Sequence, residues 1–184
     1  MESLIEYQQN LLAYIEGEFF RFLHSKIPWD QRMIAIKGLR GAGKTTMILQ
    51  HIKYRSADAA RSLYVTADHP WFYNHTLLEL ADQWHKAGGK TLYIDEVHNY
   101  INWSRELKNI YDGYPGMKVV FTASSALDLY RGESDLSRRV LSYELPGMSF
   151  REYLELAFEI KIPPVTLDEL LLHHIEIAKS AYGQ

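Results

Sequence analysis

A glycine-rich run close to residue 40 contains the residue types that bind phosphate. Residues 38–45 read G-L-R-G-A-G-K-T and match the P-loop pattern G-x-x-x-x-G-K-[ST] at every defined position. The glycines permit positive φ and close approach, so successive N–H groups can form an anion nest at a helix N-terminus. Lys44 is expected to reach the β- and γ-phosphates and act in catalysis, and the Thr45 hydroxyl to bind Mg²⁺. The predicted nucleotide-binding residues are Gly38, Leu39, Arg40, Gly41, Ala42, Gly43, Lys44, Thr45 and Thr46.

Two adjacent acids follow a short apolar run at residues 91–94. If that run is a strand of a parallel sheet, Asp95 and Glu96 lie at its carboxyl end, where ligands bind. Asp95 is predicted to hold Mg²⁺ through water, and Glu96 to orient or deprotonate the attacking water. Alone, such a pair would more often be a simple strand end. Because the predicted strand at 63–66 lies between the glycine-rich loop and this acidic pair in the sequence, the pair indicates the additional-strand, catalytic-glutamate arrangement.

Four further side chains are candidates with alternatives that the sequence leaves open. Ser124 follows the fourth apolar run and would contact the γ-phosphate or the water, or would cap a helix through residues 127–129. Arg138 and Arg139 precede the fifth run, where an arginine would stabilise charge on a transferring phosphoryl group or form a solvated turn. Arg40 would touch phosphate or pair with an acid. His98, beside the acids, is expected to be a structural hydrogen-bonding residue.

The elements that must position these residues alternate between strands and helices, which predicts an α/β fold with a parallel sheet between two helical layers. The capping-box patterns at Ser149–Glu152 and Thr166–Glu169 predict two further helices near the end of the chain. Predicted strands are 33–37, 63–66, 91–94, 118–122 and 140–145; predicted helices are 4–23, 44–55, 75–87, 103–112, 150–160 and 167–182.

The composition narrows the class of protein. Net charge is −3 and hydrophobic residues make up 47% of the 184 residues, so the chain is globular and has no global charge that favours nucleic acid. There is no cysteine, which excludes disulfides and thiolate chemistry. No apolar stretch reaches the roughly 18 residues that a membrane span needs, so we expect a cytoplasmic protein with no membrane partner.

Taken in order, these motifs resemble the bacterial and archaeal AAA+-superfamily ATPases whose ATPase core precedes a C-terminal domain of unknown function. The resemblance implies ATP as the nucleotide and a five-stranded sheet of order 5-1-4-3-2. Ala123 and Arg138 depart from it, because glycine is usual at both positions, and the family's arginine corresponds to Arg139. The similar stretches are residues 38–45, 92–98, 120–125, 136–139 and 145–154.

The resemblance also implies a domain organisation. We expect an N-terminal helical segment at 1–30, the ATPase core at 31–148, and C-terminal helices at 149–184 that begin a lid cut short. Members usually continue further, so the chain is expected to be an N-terminal portion. In AAA+-like assemblies, the arginine at the position of Arg139 often serves the site of a neighbouring subunit. Self-association would therefore place Arg139 in a neighbour's site.

The leading hypothesis for function is Mg²⁺-dependent ATP binding and hydrolysis. The alternative is a nucleotide-dependent switch with slow turnover, acting on a nucleic acid or protein partner through a missing C-terminal domain. A small-molecule kinase is a third reading, but adjacent Asp95 and Glu96 followed by a polar strand end favour water as the acceptor. The absence of an N-K-x-D motif disfavours a GTPase.

Overall fold

Short apolar runs separated by helices form a parallel sheet in the computed structural model, which describes residues 1–17, 19–124, 136 and 138–182. The five strands of the described sheet lie in the order β2-β3-β4-β1-β5, and every neighbouring pair is parallel. This is the predicted 5-1-4-3-2 order, which is confirmed. The strands are β1 (Met33–Lys37), β2 (Ser62–Thr66), β3 (Thr91–Asp95), β4 (Lys118–Ala123) and β5 (Leu141–Glu144).

Helices cover both faces of the sheet, and the strands β1 to β4 accordingly bury side chains on both faces. One face carries Ile34, Ile36 and Val120 and packs against α2. The other carries Leu92 and Phe121 and packs against α3 and α4, which contact each other. The helices are α1 (Glu2–Tyr14), α2 (Lys44–Tyr54), α3 (Leu77–Lys86), α4 (Trp103–Gly113), α5 (Phe150–Phe158) and α6 (Leu167–Tyr182).

The predicted helix at 4–23 is wrong in its second half, because α1 ends at Tyr14. Two α2 side chains bind the carbonyl groups at that end. Lys53 Nζ donates to the carbonyls of Leu12 and Ile15 at 2.7 and 2.8 Å, and Tyr54 Oη donates to Ile15 at 3.0 Å. The orphan carbonyls of a helix end therefore have partners without further helical turns. A short 3₁₀ segment, Phe22–Lys26, follows.

The helix α1 contacts β2 and α2. Its buried Gln8 donates from Nε2 to the Ser62 carbonyl at 3.2 Å and accepts the Tyr64 N–H at Oε1 at 2.5 Å. One amide side chain thus satisfies a backbone acceptor and a backbone donor on the outer side of β2.

The chain divides into two units, Met1–Gly147 and Met148–Gln184. The second contains α5, whose capping box pairs Ser149 with Glu152, and α6, whose backbone is non-helical at His173. At the N-terminus of α6, the Glu169 N–H donates to Thr166 Oγ1 at 3.2 Å. Among the described residues, none of the helices has the length and apolar character to cross a bilayer.

Candidate functional site

The loop between β1 and α2 is shaped by glycine. Gly43 has φ +94° and forms the N-cap of α2, a backbone conformation that residues with a Cβ rarely adopt. Gly38 has φ +154°, and a Cβ there would overlap the Leu145 carbonyl oxygen. The helix N-terminus, with its partial positive charge, begins at Lys44 directly behind this turn. The sequence therefore folds locally into a turn whose backbone geometry suits an anion.

The Lys44 side chain crosses the loop. It is only 4% exposed, and its Nζ donates to the carbonyls of Gly38 at 2.8 Å and Leu39 at 3.1 Å. The same atom lies 3.8 Å from Glu96 Oε1. The ammonium group is thus held between the loop and the end of β3, largely by neutral acceptors.

Asp95 is buried at the end of β3 and accepts hydrogen bonds from three hydroxyl groups. Thr45 Oγ1 donates to Oδ2 at 2.5 Å and Tyr64 Oη donates to Oδ2 at 2.8 Å, while Thr122 Oγ1 donates to Oδ1. Burial raises the pKa of Tyr64, and the Asp95 carboxylate raises it further, so this phenol stays a donor. The two predicted metal-binding residues, Thr45 and Asp95, therefore touch each other.

Glu96 is half-buried and has a positive φ of 53°, which is uncommon for a non-glycine residue. Its N–H donates to Thr122 Oγ1 at 2.9 Å, which fixes the turn. Ser124 Oγ donates to Glu96 Oε2 at 2.5 Å, and His98 Nε2 lies 3.3 Å from the same oxygen. The strained backbone thus directs the carboxylate toward Ser124, His98 and Lys44 rather than into solvent.

A cleft of about 550 Å³ opens at the carboxyl ends of the strands, beside the loop. It brings together the predicted residues Lys44, Thr45, Glu96 and Ser124. Its lining residues are Arg40, Gly41, Gly43, Lys44, Thr45, Thr46, Asp68, Glu96, His98, Asn99 and Ser124. Gly38, Leu39 and Ala42, also predicted to bind nucleotide, are not among these described lining residues, and the Leu39 side chain is 75% exposed.

Arg139 lies away from this cleft. Its Nε donates to Asp112 Oδ1 at 3.0 Å and its Nη2 to Oδ2 at 3.1 Å, at the end of α4. That end of α4 leads to the amino end of β4, opposite to the loop. Arg138 is exposed. The alternative role of Ser124, as the cap of a helix through residues 127–129, concerns residues outside those the structure describes.

Sequence reasoning assigned no role in the site to several residues that the fold places there. Tyr64 and Thr122 bind Asp95, and Asp68 and Asn99 line the cleft. His98, expected to be structural, faces Glu96. The position of Tyr64 near Asp95 follows from the pairing of β2 with β3. Thr66 is in register with Asp95, and Tyr64, two residues earlier, lies on the same face of the sheet as Thr66. That register is not evident from β2 alone.

Comparison with known proteins identifies the family and the fold of the chain. The family described as "AAA domain" matches residues 30–154, more than half of the chain. An uncharacterized protein of Methanocaldococcus jannaschii is 32% identical over 163 residues, which cover 84% of this chain and 34% of the relative. The chain thus spans about a third of that relative's length.

A solved structure shows the same fold. The Walker-type ATPase of Pyrococcus abyssi aligns with a TM-score of 0.52 at 10% identity, over 83% of this chain and 64% of that chain. At this identity the similarity concerns the fold alone. Together with the family match, it confirms the predicted resemblance: the chain belongs to the AAA domain family, as a nucleotide-binding, ATPase-like module on a P-loop sheet.

Proposed function

We propose that this domain binds Mg²⁺-ATP and hydrolyses it. One observation carries the proposal: the Thr45 hydroxyl and the Asp95 carboxylate meet at 2.5 Å beside a glycine loop that Lys44 crosses. A hydroxyl and a carboxylate are hard oxygen ligands, and one or two protein ligands completed by water and phosphate are typical of Mg²⁺. Thr45 and Asp95 would hold the ion, which when bound would neutralise charge on the phosphates.

The protein residues around the phosphates would have different binding roles. The loop N–H groups and Lys44 would bind the β- and γ-phosphates, in exchange for the carbonyl contacts that Lys44 makes within the loop. Arg40 and Thr46 line the same cleft and would contact the nucleotide at its rim. Because hydrogen bonds between charged groups are stronger than those to neutral carbonyls, the exchange favours binding.

Glu96 would act as the general base. Its carboxylate is held by Ser124 and approached by Lys44, so it would accept a proton from water at a fixed position near the γ-phosphate. Ser124 would orient the carboxylate through its hydroxyl and lie within reach of the same water. Asp95, whose oxygens already accept three hydroxyl hydrogens, would be the metal-binding acid rather than the base.

We further propose that the site is completed by a second copy of the chain. Arg139 is bound to Asp112 at the opposite end of the sheet, so it would serve the cleft of a neighbour. Residues 149–184 are proposed to begin a helical lid, after an N-terminal segment at 1–30 and a core at 31–148. The base is proposed to be adenine by family resemblance.

A nucleotide-dependent switch with slow turnover is the second candidate, and the Arg139–Asp112 pair favours it. An arginine that stabilises transferring charge can contribute roughly 10³–10⁵ in rate, and this one is outside its own cleft. Such a switch would act on a protein or nucleic-acid partner through sequence outside this chain. Phosphate release measured with and without added partner or DNA separates the two functions.

The test is calorimetric titration of the chain with Mg²⁺-ATP and with Mg²⁺-GTP, followed by a phosphate-release assay. Lys44→Ala should weaken ATP binding by roughly 10- to 100-fold, the scale of a charged hydrogen bond, and abolish turnover. The matched control is Lys53→Ala, on the same helix, because the Lys53 ammonium donates hydrogen bonds to the carbonyls of Leu12 and Ile15 at the end of α1. Equal ATP affinity and turnover in the parent and in Lys44→Ala would refute the assignment.

A further inference from the structure

Arg21 is an arginine with only 6% of its surface exposed, on the segment between α1 and β1. Arginine is rarely buried unless its guanidinium has partners. Nη1 donates to the Ala42 carbonyl in the phosphate loop. Nη2 donates to the carbonyls of Pro146 and Gly147 at 2.9 and 3.1 Å. The planar guanidinium therefore joins the loop to the segment that follows β5.

The Ala42 carbonyl determines the orientation of one loop amide. The described chain contains no cis peptide bond, and in a trans peptide the C=O and the following N–H point in opposite directions. Since the Ala42 carbonyl points to Arg21, the Gly43 N–H points away from Arg21. Gly43 lines the cleft, whereas Arg21 is not among the described residues that do. Arg21 thus lies behind the loop and directs the Gly43 N–H forward.

The other end of the loop is fixed to the same segment without Arg21. A Cβ on Gly38 would overlap the Leu145 carbonyl oxygen, and the Leu145 N–H donates to the Lys37 carbonyl at 2.7 Å. Packing therefore holds the start of the loop against residue 145. Arg21 holds the later part of the loop against residues 146–147.

The backbone that carries Arg21 is itself fastened to α2. Gln50 is buried and donates from Nε2 to the Phe19 carbonyl at 2.9 Å. The helix that starts at the phosphate loop thus positions the segment from which Arg21 reaches back to that loop. Arg21, the phosphate loop, α2 and the Phe19 carbonyl thus form a closed ring of contacts. The guanidinium therefore has little freedom to leave the Ala42 carbonyl.

We propose that Arg21 is a positioning residue for the bound phosphates, an inference that rests on the proposed function of the loop. It holds the peptide between Ala42 and Gly43 so that the Gly43 N–H faces the ligand. Its positive charge also lies close to the phosphate site, separated from it by the peptide between Ala42 and Gly43. Lysine cannot replace it, because a single ammonium lacks the fork that reaches two segments at once.

The test is calorimetry on the folded chain with two probes, sodium tripolyphosphate and Mg²⁺-ATP. Arg21→Lys and Arg21→Gln should each raise the dissociation constant for both probes by roughly 10-fold or more, the scale of a charged hydrogen bond. In phosphate release the effect should fall on KM, with kcat changed less than KM. The matched control, Arg55→Gln, removes an arginine that lies over the Phe20 ring at 5.0 Å, and it should bind both probes like the parent.

A second measurement separates positioning from general stabilisation. The Gly43 amide resonance should shift when tripolyphosphate is added to the parent and shift much less in Arg21→Lys, which keeps the buried charge. A lower melting temperature with unchanged dissociation constants and an unchanged Gly43 shift would overturn the inference. If the parent itself binds neither probe, the proposed function fails and the inference with it. If the parent binds both and the Arg21 variants bind equally well, only the inference fails.

Discussion

The two ends of the parallel sheet satisfy their charges in different ways. At the amino ends of the strands, ion pairs join opposite charges directly: Arg139 with Asp112, Lys118 with Asp30, and Lys90 with Asp58. At the carboxyl ends, the shortest contacts join a charge to a neutral group: Asp95 to hydroxyls, Lys44 to carbonyls and Glu96 to Ser124.

This difference matters for ligand binding. A charge with a neutral partner still gains free energy when a phosphate or metal ion replaces that partner, whereas a charge in a good ion pair gains little. The carboxyl end of the sheet is therefore better suited to bind charged ligands than the amino end. Substitutions at the carboxyl end should change binding and turnover, and those at the amino end should change stability, except for Arg139 if it serves a neighbour's cleft.

Two tyrosines illustrate the contrast within one pair of strands. Tyr64 and Tyr93 are in register on β2 and β3, on the α2 face of the sheet. The Tyr64 hydroxyl reaches Asp95 at the carboxyl end, while the Tyr93 hydroxyl interacts with Ser56 and Ser62 at the amino end. Burial raises the pKa of Tyr93 to about 12, so both phenols remain protonated at neutral pH.

After Lys44→Ala, the largest effect on turnover is expected from Arg139→Ala, because a catalytic role for this amino-end residue would contradict the comparison. If Arg139 serves a neighbour's cleft, turnover per chain should rise with protein concentration, and the substitution should lower it by roughly 10³-fold or more at high concentration. The assay is steady-state phosphate release over a concentration series. Asp112→Asn, which removes the partner of Arg139 in the same chain, should keep the concentration dependence. Turnover that is fast, independent of concentration and unaffected by Arg139→Ala would show a site complete within one chain.

Glu96→Gln should lower hydrolysis by roughly 10²-fold or more, the usual scale for loss of a general base. The amide keeps the shape of the side chain and leaves Thr45 and Asp95 in place, so the dissociation constant for Mg²⁺-ATP should stay within a few-fold of the parent's. Single-turnover phosphate release and calorimetry measure the two quantities. A variant that hydrolyses ATP at the parent rate would mean that Glu96 only ends the strand.

Tyr64→Phe should raise the Mg²⁺ concentration needed for half-maximal ATP binding by roughly 10-fold, because Asp95 loses one of its hydroxyl donors. Tyr93→Phe is the matched control, since it removes a buried hydroxyl from the neighbouring strand at the other end of the sheet. Its Mg²⁺ dependence should equal the parent's. Equal Mg²⁺ curves for both variants would indicate that Tyr64 is only a packing residue.

A substitution in the histidine pair at the amino end should have the smallest effect on ATP affinity. The same substitution should have a clear effect on the stability of the fold. His24 Nε2 lies 3.1 Å from His51 Nδ1, and the Trp29 ring stacks on His51 at 3.9 Å. Burial, together with the smaller effect of nearby His24, lowers the pKa of His51 to about 4. The fold therefore prefers the neutral ring.

Because the unfolded chain binds this proton near pH 6.5 and the folded chain only near pH 4, the stability is fully present above pH 6.5. It should be lost as the pH falls toward 4, by on the order of 3 kcal/mol. Thermal unfolding between pH 7 and pH 4.5 measures this loss, and His51→Gln should flatten the curve. An identical pH dependence in parent and variant would show that other groups cause it. ATP affinity at pH 7 should be the same in both.

The strand order and the phosphate loop could be predicted because each depends on local sequence. A glycine loop between a strand and a helix has one dominant geometry, and alternating strands and helices impose parallel pairing. The contacts around Asp95 could not be predicted in the same way. They require the register of β2 on β3 and of β3 on β4, which brings Tyr64 and Thr122 to the same carboxylate.

The errors in prediction also have tertiary causes. Apolar residues at helical spacing continue to Phe22, but α1 stops at Tyr14 because Lys53 and Tyr54, about 40 positions away, bind its last carbonyls. The partner of Arg139 is likewise 27 positions earlier in the chain, and no pattern in the loop itself indicates Asp112. Local patterns identify elements and motifs, but they do not identify partners supplied by another element.

The amide of Gln8 has a consequence for the behaviour of the protein in solution. β2 is an edge strand, and an exposed edge is a template onto which a strand of another chain can add. Gln8 occupies the Ser62 carbonyl and the Tyr64 N–H, so α1 closes that template as a neighbouring strand would. A chain that lacks α1 would retain its phosphate loop and its acids, yet it would present β2 for intermolecular pairing. We therefore expect the N-terminal helix to protect the domain against aggregation, a role separate from the chemistry at the far end of the same strand.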